Sequence, residues 1–359
     1  MNKFREMNGG VLIIAKAEFV TAKLDWIKIR LWEQPEIIIN ELFGIEIMDC
    51  ELSDGQLMFY GYDSYYSYGL IHIYTYRNAL FTPDCCIQLS GQACTQLEII
   101  LESKSLSWKE FFQVAFGICE KVEFLRLDCA LDDKNELPYF TVEKLISKAK
   151  KNLYWSNGRD YSINESKYRL TTGKTLNIGS RTSDLMCRIY NKAIEQAKMT
   201  GKDISDFGSW NRIEIELKRE PANDMARRIA YENESLENLI RAVLRQELRF
   251  YTDSSKKIVC RFWDKFLLKI PPINLNRKYE VTTLQSSANW LEERGGLATY
   301  QAFVFLSENN ALGNLNDLRF QKKDFSRGLA ERMIAHLVSI GRTDLISAVH
   351  ARTKKEKEN

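Results

Sequence analysis

Histidine is scarce in this chain of 359 residues, which contains only His72, His336 and His350. No two of them lie one residue apart, so the sequence excludes a metal site built on a pair of histidines on one strand. The eight cysteines form no C-x-x-C pair, and several of them fall on apolar strand faces. This distribution indicates buried, reduced thiols of a cytoplasmic protein.

Long apolar runs and nucleotide-binding motifs are also absent. No stretch approaches the ~20 apolar residues of a membrane span, and the polar segment Met1–Gly10 with the short Val11–Ala15 lacks the pattern of a signal peptide. Gly173-Lys174-Thr175 imitates the end of a phosphate-binding loop, but Tyr168 stands where the first glycine is required. The sequence therefore predicts a cytoplasmic protein with no membrane segment and no ATP motor of its own.

The charge distribution is uneven along the chain. The whole sequence has a net charge of +3, but residues 1–119 hold 9 basic and 15 acidic side chains, which leaves −6 there and +9 in the remainder. A polyanionic partner would therefore bind the second part, although a solvated helix face explains any single basic run equally well. The contents of 45% hydrophobic and 28% charged residues are typical of a globular protein.

The stretch Thr175–Lys218 carries the first candidate chemistry. Its pattern predicts two strands joined by a turn, then a short polar helix and a third strand. Because side chains alternate between the two faces of a strand, Tyr190 shares a face with Arg188 and Lys192. A tyrosine between two cations is a candidate nucleophile for a phosphate group.

Acidic residues on two further strands form the second candidate site. Glu214 and Glu216 share one strand face, while the Ile and Leu residues that alternate with them point into the core. In the segment 125–132, Asp128 lies on the face away from the leucines. If these two strands are neighbours, Asp128 faces Glu214 and Glu216, and the three carboxylates suit Mg²⁺ or Mn²⁺.

Ordinary strand packing is the alternative interpretation of each pattern. Tyrosine is common in strands, and a tyrosine between Arg and Lys is typical of a half-exposed sheet face. The two glutamates could simply pair with the neighbouring Arg212 and Lys218. Acidic residues are poor strand formers, however, so their joint occurrence with Tyr190 in otherwise regular apolar alternation favours a functional site.

Several motifs occur in order along the chain: Ser90-Gly91-Gln92-Ala93-Cys94, Leu176-Asn177-Ile178-Gly179-Ser180-Arg181-Thr182-Ser183-Asp184, Arg188-Ile189-Tyr190-Asn191-Lys192 and Arg212-Ile213-Glu214-Ile215-Glu216-Leu217. Together they resemble the plasmid replication initiation factor family, with Ala93 where glycine is more usual. The resemblance extends from roughly Asp25 to Phe266 and includes the strand of Asp128. This family contains rolling-circle plasmid initiators and relaxases of integrative conjugative elements, and it is a divergent relative of the HUH endonucleases.

The resemblance implies an α+β fold with an antiparallel sheet core and flanking helices. Beyond its extent, the patterns after Pro271-Pro272 predict a small helical C-terminal region. The resemblance also implies a DNA nickase in which Tyr190 forms a 5′-phosphotyrosine bond and leaves a free 3′-OH. In this interpretation Arg188 and Lys192 hold the phosphate and favour the phenolate, and Asp128, Glu214 and Glu216 bind Mg²⁺ or Mn²⁺. The DNA-binding residues are expected to be Arg126, Arg181, Arg212 and Lys218. The expected partners are origin DNA, single-stranded or supercoiled, and a host helicase, with no membrane association. The family allows a homodimer, which this sequence does not itself indicate.

Two other functions remain open at this point. A DNA-binding protein without catalysis would keep the basic surface and use the acidic strands structurally. A metal-dependent nuclease that uses water would cleave DNA without a covalent adduct. The sequence does not distinguish a plasmid initiator from a conjugative relaxase.

The predicted domains are an N-terminal lead (1–20), a catalytic core (21–270), a linker around Pro271-Pro272 (271–282) and a helical region with a charged tail (283–359).

Within the core, Gln56–Tyr62 and Leu70–Tyr76 are predicted to form a hairpin around a loop at Asp63–Gly69. This stretch is rich in tyrosine. The rings could stack on unpaired bases, or they could pack against each other across strands, which is the favoured interpretation.

Overall fold

The structure of the chain is a computed structural model, which describes residues 19–54, 61–76, 84–158, 160–168, 171–276, 300–301, 304–305, 325, 327–339 and 341–353. The chain divides into two compact units, Met1–Arg277 and Lys278–Asn359. Most of the predicted N-terminal lead, the second half of the linker and the charged tail lie outside the described residues, so the four predicted domains remain a prediction. Within the described ranges, no helix is long and apolar enough to cross a membrane.

The described part of the first unit contains these strands: β1 Val20–Leu31, β2 Glu51–Asp54, β3 Ser64–Tyr68, β4 Ile71–Thr75, β5 Cys85–Leu89, β6 Val122–Asp133, β7 Tyr154–Ser156, β8 Tyr161–Tyr168, β9 Thr171–Ile178, β10 Leu185–Asn191, β11 Asn211–Lys218 and β12 Leu248–Phe250. Ten of them form one sheet in the order β2-β3-β4-β5-β1-β6-β11-β10-β9-β8. Every neighbouring pair in this sheet is antiparallel. The short strands β12 and β7 pair separately.

The α-helices in the described part of the first unit are α1 Pro35–Ile37, which continues as a π-helical turn over Ile38–Phe43, α2 Gly91–Ser103, α3 Trp108–Gly117, α4 Val142–Lys150, α5 Lys192–Thr200, α6 Arg219–Tyr231, α7 Leu236–Glu247 and α8 Arg261–Phe266. The second unit, described by itself, contains α9 Arg327–Ser339 and α10 Ile346–Ala351. The expected α+β fold with an antiparallel sheet is confirmed, and the described part of the C-terminal region is helical.

One side of the sheet is the core side. Leu127, Ile213 and Ile215 are at most 1% exposed there, and they belong to the same apolar cluster as buried residues of α2, α3, α4, α6 and α7. Each such side chain contributes roughly 1.5–3 kcal/mol of hydrophobic stabilisation when fully buried. Because alternate residues point the other way, the polar side chains of β6, β10 and β11 are collected on the opposite side of the sheet.

A β-bulge interrupts the first strand. The apolar alternation in the sequence slips once between Leu24 and Ile27, and the register between β1 and β6 shifts between Leu24 and Trp26. A bulge places an extra residue in one strand and turns the local side chains. Asp25 is that extra residue, and it reaches the polar side of the sheet.

The predicted tyrosine-rich hairpin is placed differently. The segment expected to be its loop is itself β3, which pairs with β4 through a two-residue turn at Gly69 and Leu70. Gly69 has φ +58, the positive value that a tight hairpin turn favours and that glycine adopts without strain. The predicted second arm is confirmed as β4. The predicted loop is wrong because Ser64–Tyr68 is extended and pairs with that arm along its whole length. Residues 55–60, which were part of the predicted first arm, lie outside the described residues.

All eight cysteines are free thiols. Six are buried, while Cys50 and Cys119 are half-buried. Burial raises the pKa of Cys86 to about 11, which keeps this thiol protonated. The expectation of reduced thiols in the core is confirmed for the six buried residues.

Candidate active site

The strand register brings the predicted site residues together. Glu216 lies directly opposite Asp128 on β6, and Glu214 lies opposite Arg188 on β10. The prediction that Asp128 faces the two glutamates is therefore confirmed. Asp128, Glu214 and Glu216 are 1%, 4% and 6% exposed, so three carboxylates share a nearly water-free position.

The guanidinium group of Arg188 occupies the centre of this acidic cluster. Its Nη2 atom lies 2.6 Å from Oε1 of Glu214 and 3.0 Å from Oε2 of Glu216. The same nitrogen lies 3.0 Å from Oδ2 of Asp128. One side chain therefore neutralises part of the charge of all three carboxylates, which otherwise repel one another in a medium of low dielectric constant.

Two further cations flank the cluster. Arg126 forms a two-point contact with Asp128, from Nε at 2.8 Å and from Nη2 at 2.6 Å. Lys218 lies 2.6 Å from Oε1 of Glu216 through its Nζ atom. Burial acts to raise the pKa of Glu216, but the hydrogen bond from Lys218 and the charges of Arg126 and Arg188 outweigh it, so this pKa is lowered.

Tyr190 stands at the edge of the acidic cluster. Its hydroxyl group donates a hydrogen bond to Oε2 of Glu214 at 3.2 Å and accepts one from Nζ of Lys192 at 3.5 Å. Lys192 is not on the strand as predicted, because Asn191 accepts a hydrogen bond from the backbone of Ile194 and caps a helix at this point. Lys192 is the first residue of α5, and its side chain nevertheless returns to the tyrosine.

The pKa values show which group in the site holds protons. Burial, and next the charge of Asp128, raise the pKa of Glu214 to about 7 even though Arg188 opposes the shift. Burial also raises the pKa of Asp128. Burial and then the charge of Glu214 raise the pKa of Tyr190. The expectation that the nearby cations favour the phenolate does not hold in the resting site, so deprotonation of Tyr190 requires a base.

Arg212 is buried beside the site rather than exposed for DNA. It is 2% exposed and makes a two-point contact with Asp132 at 2.7 and 2.8 Å. Its Nη1 atom also contacts Oδ1 of Asp25 at 2.5 Å. Because its guanidinium group is buried on these two carboxylates, Arg212 does not offer the exposed cation that the predicted contact with DNA needs. It instead connects β11 to β6 and to the bulge of β1.

Sequence reasoning did not assign Asp25 to the site. The slip in apolar alternation at Leu24 was the available signal, because a bulge re-aims the neighbouring side chain. Without the tertiary structure, however, the slip does not show that Asp25 meets Arg212, which lies 187 residues further along the chain.

A cleft of about 470 Å³ opens over these residues. Its walls include Tyr190, Glu214 and Arg188, together with polar side chains of β8 and β9 such as Asn164 and Asn177. The other basic residues that line it are Arg126, Lys174, Arg181 and Lys198. Arg181 and Lys198 are exposed. The carboxylates of Asp25, Asp128 and Glu195 also line the cleft, so side chains of both charges share it with Tyr190.

The acidic cluster fits a hard divalent cation by its chemistry. Three carboxylates are the oxygen ligands that Mg²⁺ and Mn²⁺ prefer, and one oxygen of each lies within 3.0 Å of a common point. That point is filled by Nη2 of Arg188. In the described ranges, no three acidic, histidine or cysteine side chains are arranged to hold an ion as they stand. A cation would therefore have to replace Arg188.

Comparisons with known proteins show to which family the chain belongs. The family model for the replication initiation factor matches residues 122–305, and the model for the N-terminal domain of the rolling circle replication initiation protein matches residues 21–114. The fold and the site thus define the class of rolling-circle initiators and relaxases. The chain belongs to the replication initiation factor family, as the motifs implied.

Individual proteins similar to this chain include one named as a relaxase and one named as an initiator. The chain is 29% identical over 299 residues to NicK of Bacillus subtilis (strain 168), a protein named as a DNA relaxase, with coverage of 79% of this chain and 82% of NicK. The solved rolling circle replication initiator protein from Geobacillus stearothermophilus matches with a TM-score of 0.57 and 24% identity. That match covers 72% of this chain and 100% of the other, and it shows a shared fold.

Proposed function

We propose that this protein nicks one DNA strand at an origin and holds the cut end as a 5′-phosphotyrosine on Tyr190. The observation that carries the proposal is the position of the Tyr190 hydroxyl group, which lies in a cation-lined cleft and donates a hydrogen bond to Glu214. The free 3′-OH would start rolling-circle replication or conjugative transfer. A 5′-phosphotyrosine conserves the energy of the phosphodiester bond, so the same site can rejoin the strand without ATP.

Glu214 is the base in this mechanism. A tyrosine hydroxyl group is a weak nucleophile while it keeps its proton, and the pKa of Tyr190 is raised further by burial. Oε2 of Glu214 lies 3.2 Å from the hydroxyl oxygen, within reach of the proton. A carboxylate with a pKa of about 7 is a much better proton acceptor than an ordinary glutamate at neutral pH.

Cations around Tyr190 would bind the scissile phosphate. Lys192 reaches the tyrosine oxygen, and Arg188 lines the same cleft beside it. Both can hold non-bridging oxygens and offset the charge of the transition state. Arg126, Arg181 and Lys218 are proposed to contact the DNA backbone, while Arg212 is proposed to position Asp25 and Asp132.

The proposed metal is Mg²⁺ or Mn²⁺, held by Asp128, Glu214 and Glu216. When bound, such an ion polarises the phosphate and offsets negative charge. Arg188 would leave the centre of the cluster and become available to the DNA.

The sequence contains no complete phosphate-binding loop, so we assign strand separation to a host helicase. A homodimer and the choice between plasmid initiator and conjugative relaxase remain predictions.

The covalent adduct tests this function directly. A single-stranded oligonucleotide that spans the candidate origin is labelled on the 3′ side of the nick, mixed with protein and Mn²⁺, and run on a denaturing gel. We expect a band of labelled protein with the wild type and with Tyr231→Phe. Tyr231 is an exposed tyrosine of α6. The band should be lost in Tyr190→Phe and in EDTA.

Two outcomes would replace the proposal. Cleaved DNA without an adduct would indicate a nuclease that uses water. Binding without cleavage on every origin tested, with Tyr190 intact, would indicate a DNA-binding protein without catalysis.

A further inference from the structure

Three aromatic rings form a cluster on the β3–β4 hairpin. The ring of Tyr65 lies 5.2 Å from that of His72 and 5.6 Å from that of Tyr74, measured between centroids. All three side chains are half-buried. Tyr66 and Tyr68, which alternate with Tyr65 along β3, instead pack against the apolar core. We call Tyr65, His72 and Tyr74 the aromatic platform.

The aromatic platform lies on the same face of the sheet as the candidate active site. His72 is opposite Gln88 on β5, Gln88 is opposite Lys28 on β1, and Lys28 is opposite Arg126 on β6. Side chains that are directly opposite in neighbouring strands point to the same side. A continuous row therefore leads from His72 through Gln88 and Lys28 to Arg126, the ion-pair partner of Asp128.

The separation between platform and nucleophile suits a bound strand. Between Tyr190 on β10 and His72 on β4 lie five strand spacings, which amounts to about 24 Å at ~4.8 Å each. This is too far for the platform to touch the reacting phosphate and close enough for the flanking nucleotides of the same strand to reach it.

We propose that the aromatic platform binds unpaired bases of the DNA strand that enters the active site, by stacking on Tyr65, His72 and Tyr74. The inference rests on the proposed function for its ligand, because the strand is the one whose phosphate reaches Tyr190. Half-buried aromatic rings on the polar face of a sheet, with exposed cationic side chains in the neighbouring cleft, are a combination that binds single-stranded nucleic acid. Paired bases in a duplex keep their faces stacked on each other and cannot use these rings.

Charge in the neighbouring cleft favours a nucleic-acid strand over an apolar protein segment. Next to the platform, Arg30 is paired with Asp84 and Arg126 with Asp128. The cations that a phosphate backbone can reach are those of the cleft itself, where Arg181 and Lys198 are exposed.

Binding of a short oligonucleotide tests the platform without any origin sequence. Fluorescence anisotropy would be measured with labelled oligo-dT of about 12 nucleotides, in EDTA so that no nick can form. We expect Tyr65→Leu and Tyr74→Leu each to weaken binding roughly tenfold, whereas Tyr65→Phe and Tyr74→Phe keep the wild-type affinity because the ring is retained. Tyr231→Leu, on α6, is the matched control.

An oligonucleotide with abasic sites separates stacking from contacts to phosphate. It should bind the wild type more weakly, and the Leu variants should then be equal to the wild type, because no base remains to stack. Folding of each variant is checked by its melting temperature. If a Leu variant does not fold, ultraviolet cross-linking of 5-iodouracil oligonucleotides to the wild type decides, with Tyr65, His72 or Tyr74 as the expected attachment site.

Three results would overturn the inference. The first is an unchanged affinity of the folded Leu variants for oligo-dT. The second is cross-linking of the oligonucleotide only to residues outside the aromatic platform. The third is competition by a duplex of the same length that equals competition by the single strand. Failure of the proposed function would look different, since loss of the covalent adduct at Tyr190 leaves oligo-dT binding and its dependence on the platform unaffected.

Discussion

Nη2 of Arg188 lies 2.6 Å from Oε1 of Glu214, at the point where the carboxylates of the site converge. The arginine therefore occupies the point at which the proposed divalent cation would bind. Because both cations would need the same oxygens, they would compete, and the DNA strand that binds next would receive the displaced guanidinium group. This competition makes the role of Arg188 measurable without DNA.

Arg188→Gln is expected to destabilise the protein in EDTA and to increase its response to Mn²⁺. Removal of one partner from a buried ionic cluster costs about 3 kcal/mol, because Asp128, Glu214 and Glu216 then repel each other. Added Mn²⁺ should raise the melting temperature of Arg188→Gln more than that of the wild type, by mass action on a site that is now vacant. Differential scanning calorimetry with EDTA and with Mn²⁺ measures both effects.

Arg342→Gln is the control for Arg188→Gln. It removes an exposed pair with Asp344 and should leave the melting temperature unchanged. An equal Mn²⁺ response in the wild type and Arg188→Gln would show that the cation does not bind where the arginine lies.

Glu214→Gln should slow the formation of the covalent adduct without destabilising the folded protein above neutral pH. The amide cannot accept the proton of Tyr190, so the rate of adduct formation should fall by about 10²–10⁴-fold. The folded protein should be equally stable or more stable above neutral pH, because the charge of Glu214 is disfavoured by burial. Single-turnover gels measure the rate of adduct formation, and urea unfolding of the same preparation measures the stability. A loss of stability at high pH that parallels the loss of activity would argue against the base role.

Stability should fall as the pH rises through the neutral range. The pKa of Glu214 is raised from 4.5 to about 7 on folding, so the folded state binds more protons than the unfolded state in this window. Its contribution is fully present below the unfolded pKa and is lost as the pH passes the folded pKa, up to about 3 kcal/mol. Urea midpoints between about pH 5 and pH 8 should decline in the wild type and decline less in Glu214→Gln. If the urea midpoints of the two proteins decline in parallel with pH, Glu214 is not the cause of the decline.

Substitution of Arg212 should change the stability of the protein, whereas substitution of Arg181 should change the salt dependence of DNA binding. Arg212→Gln leaves Asp132 buried without its main cation, so we expect a loss of about 3–5 kcal/mol in unfolding free energy. The salt dependence of DNA binding should not change in the protein that remains folded. Arg181→Gln should leave stability unchanged and lower the slope of log K against log salt by roughly one. Urea unfolding and salt titrations of binding distinguish them, and a reduced slope in Arg212→Gln would restore its assignment to DNA.

Local sequence patterns predicted much of this site. Period-two alternation placed Glu214, Glu216 and Asp128 on polar strand faces, because neighbouring side chains of a strand must point in opposite directions. The motif order indicated the family, and the spacing of Tyr190 and Lys192 anticipated their contact even though a helix, not a strand, brings Lys192 back. The tyrosine-rich hairpin was misplaced, since a tight turn at Gly69 depends on one backbone angle.

The sequence by itself determined which residues are polar, which faces they share within a strand, and to which family the chain belongs. Only the tertiary structure decided that Arg188 fills the centre of the carboxylates, that Arg212 is buried on Asp132 and Asp25, and that Tyr65 and Tyr74 share a face with the site. These relationships depend on strand order and register, which connect residues far apart in the chain. Alternation within one strand carries no information about which strand lies beside it.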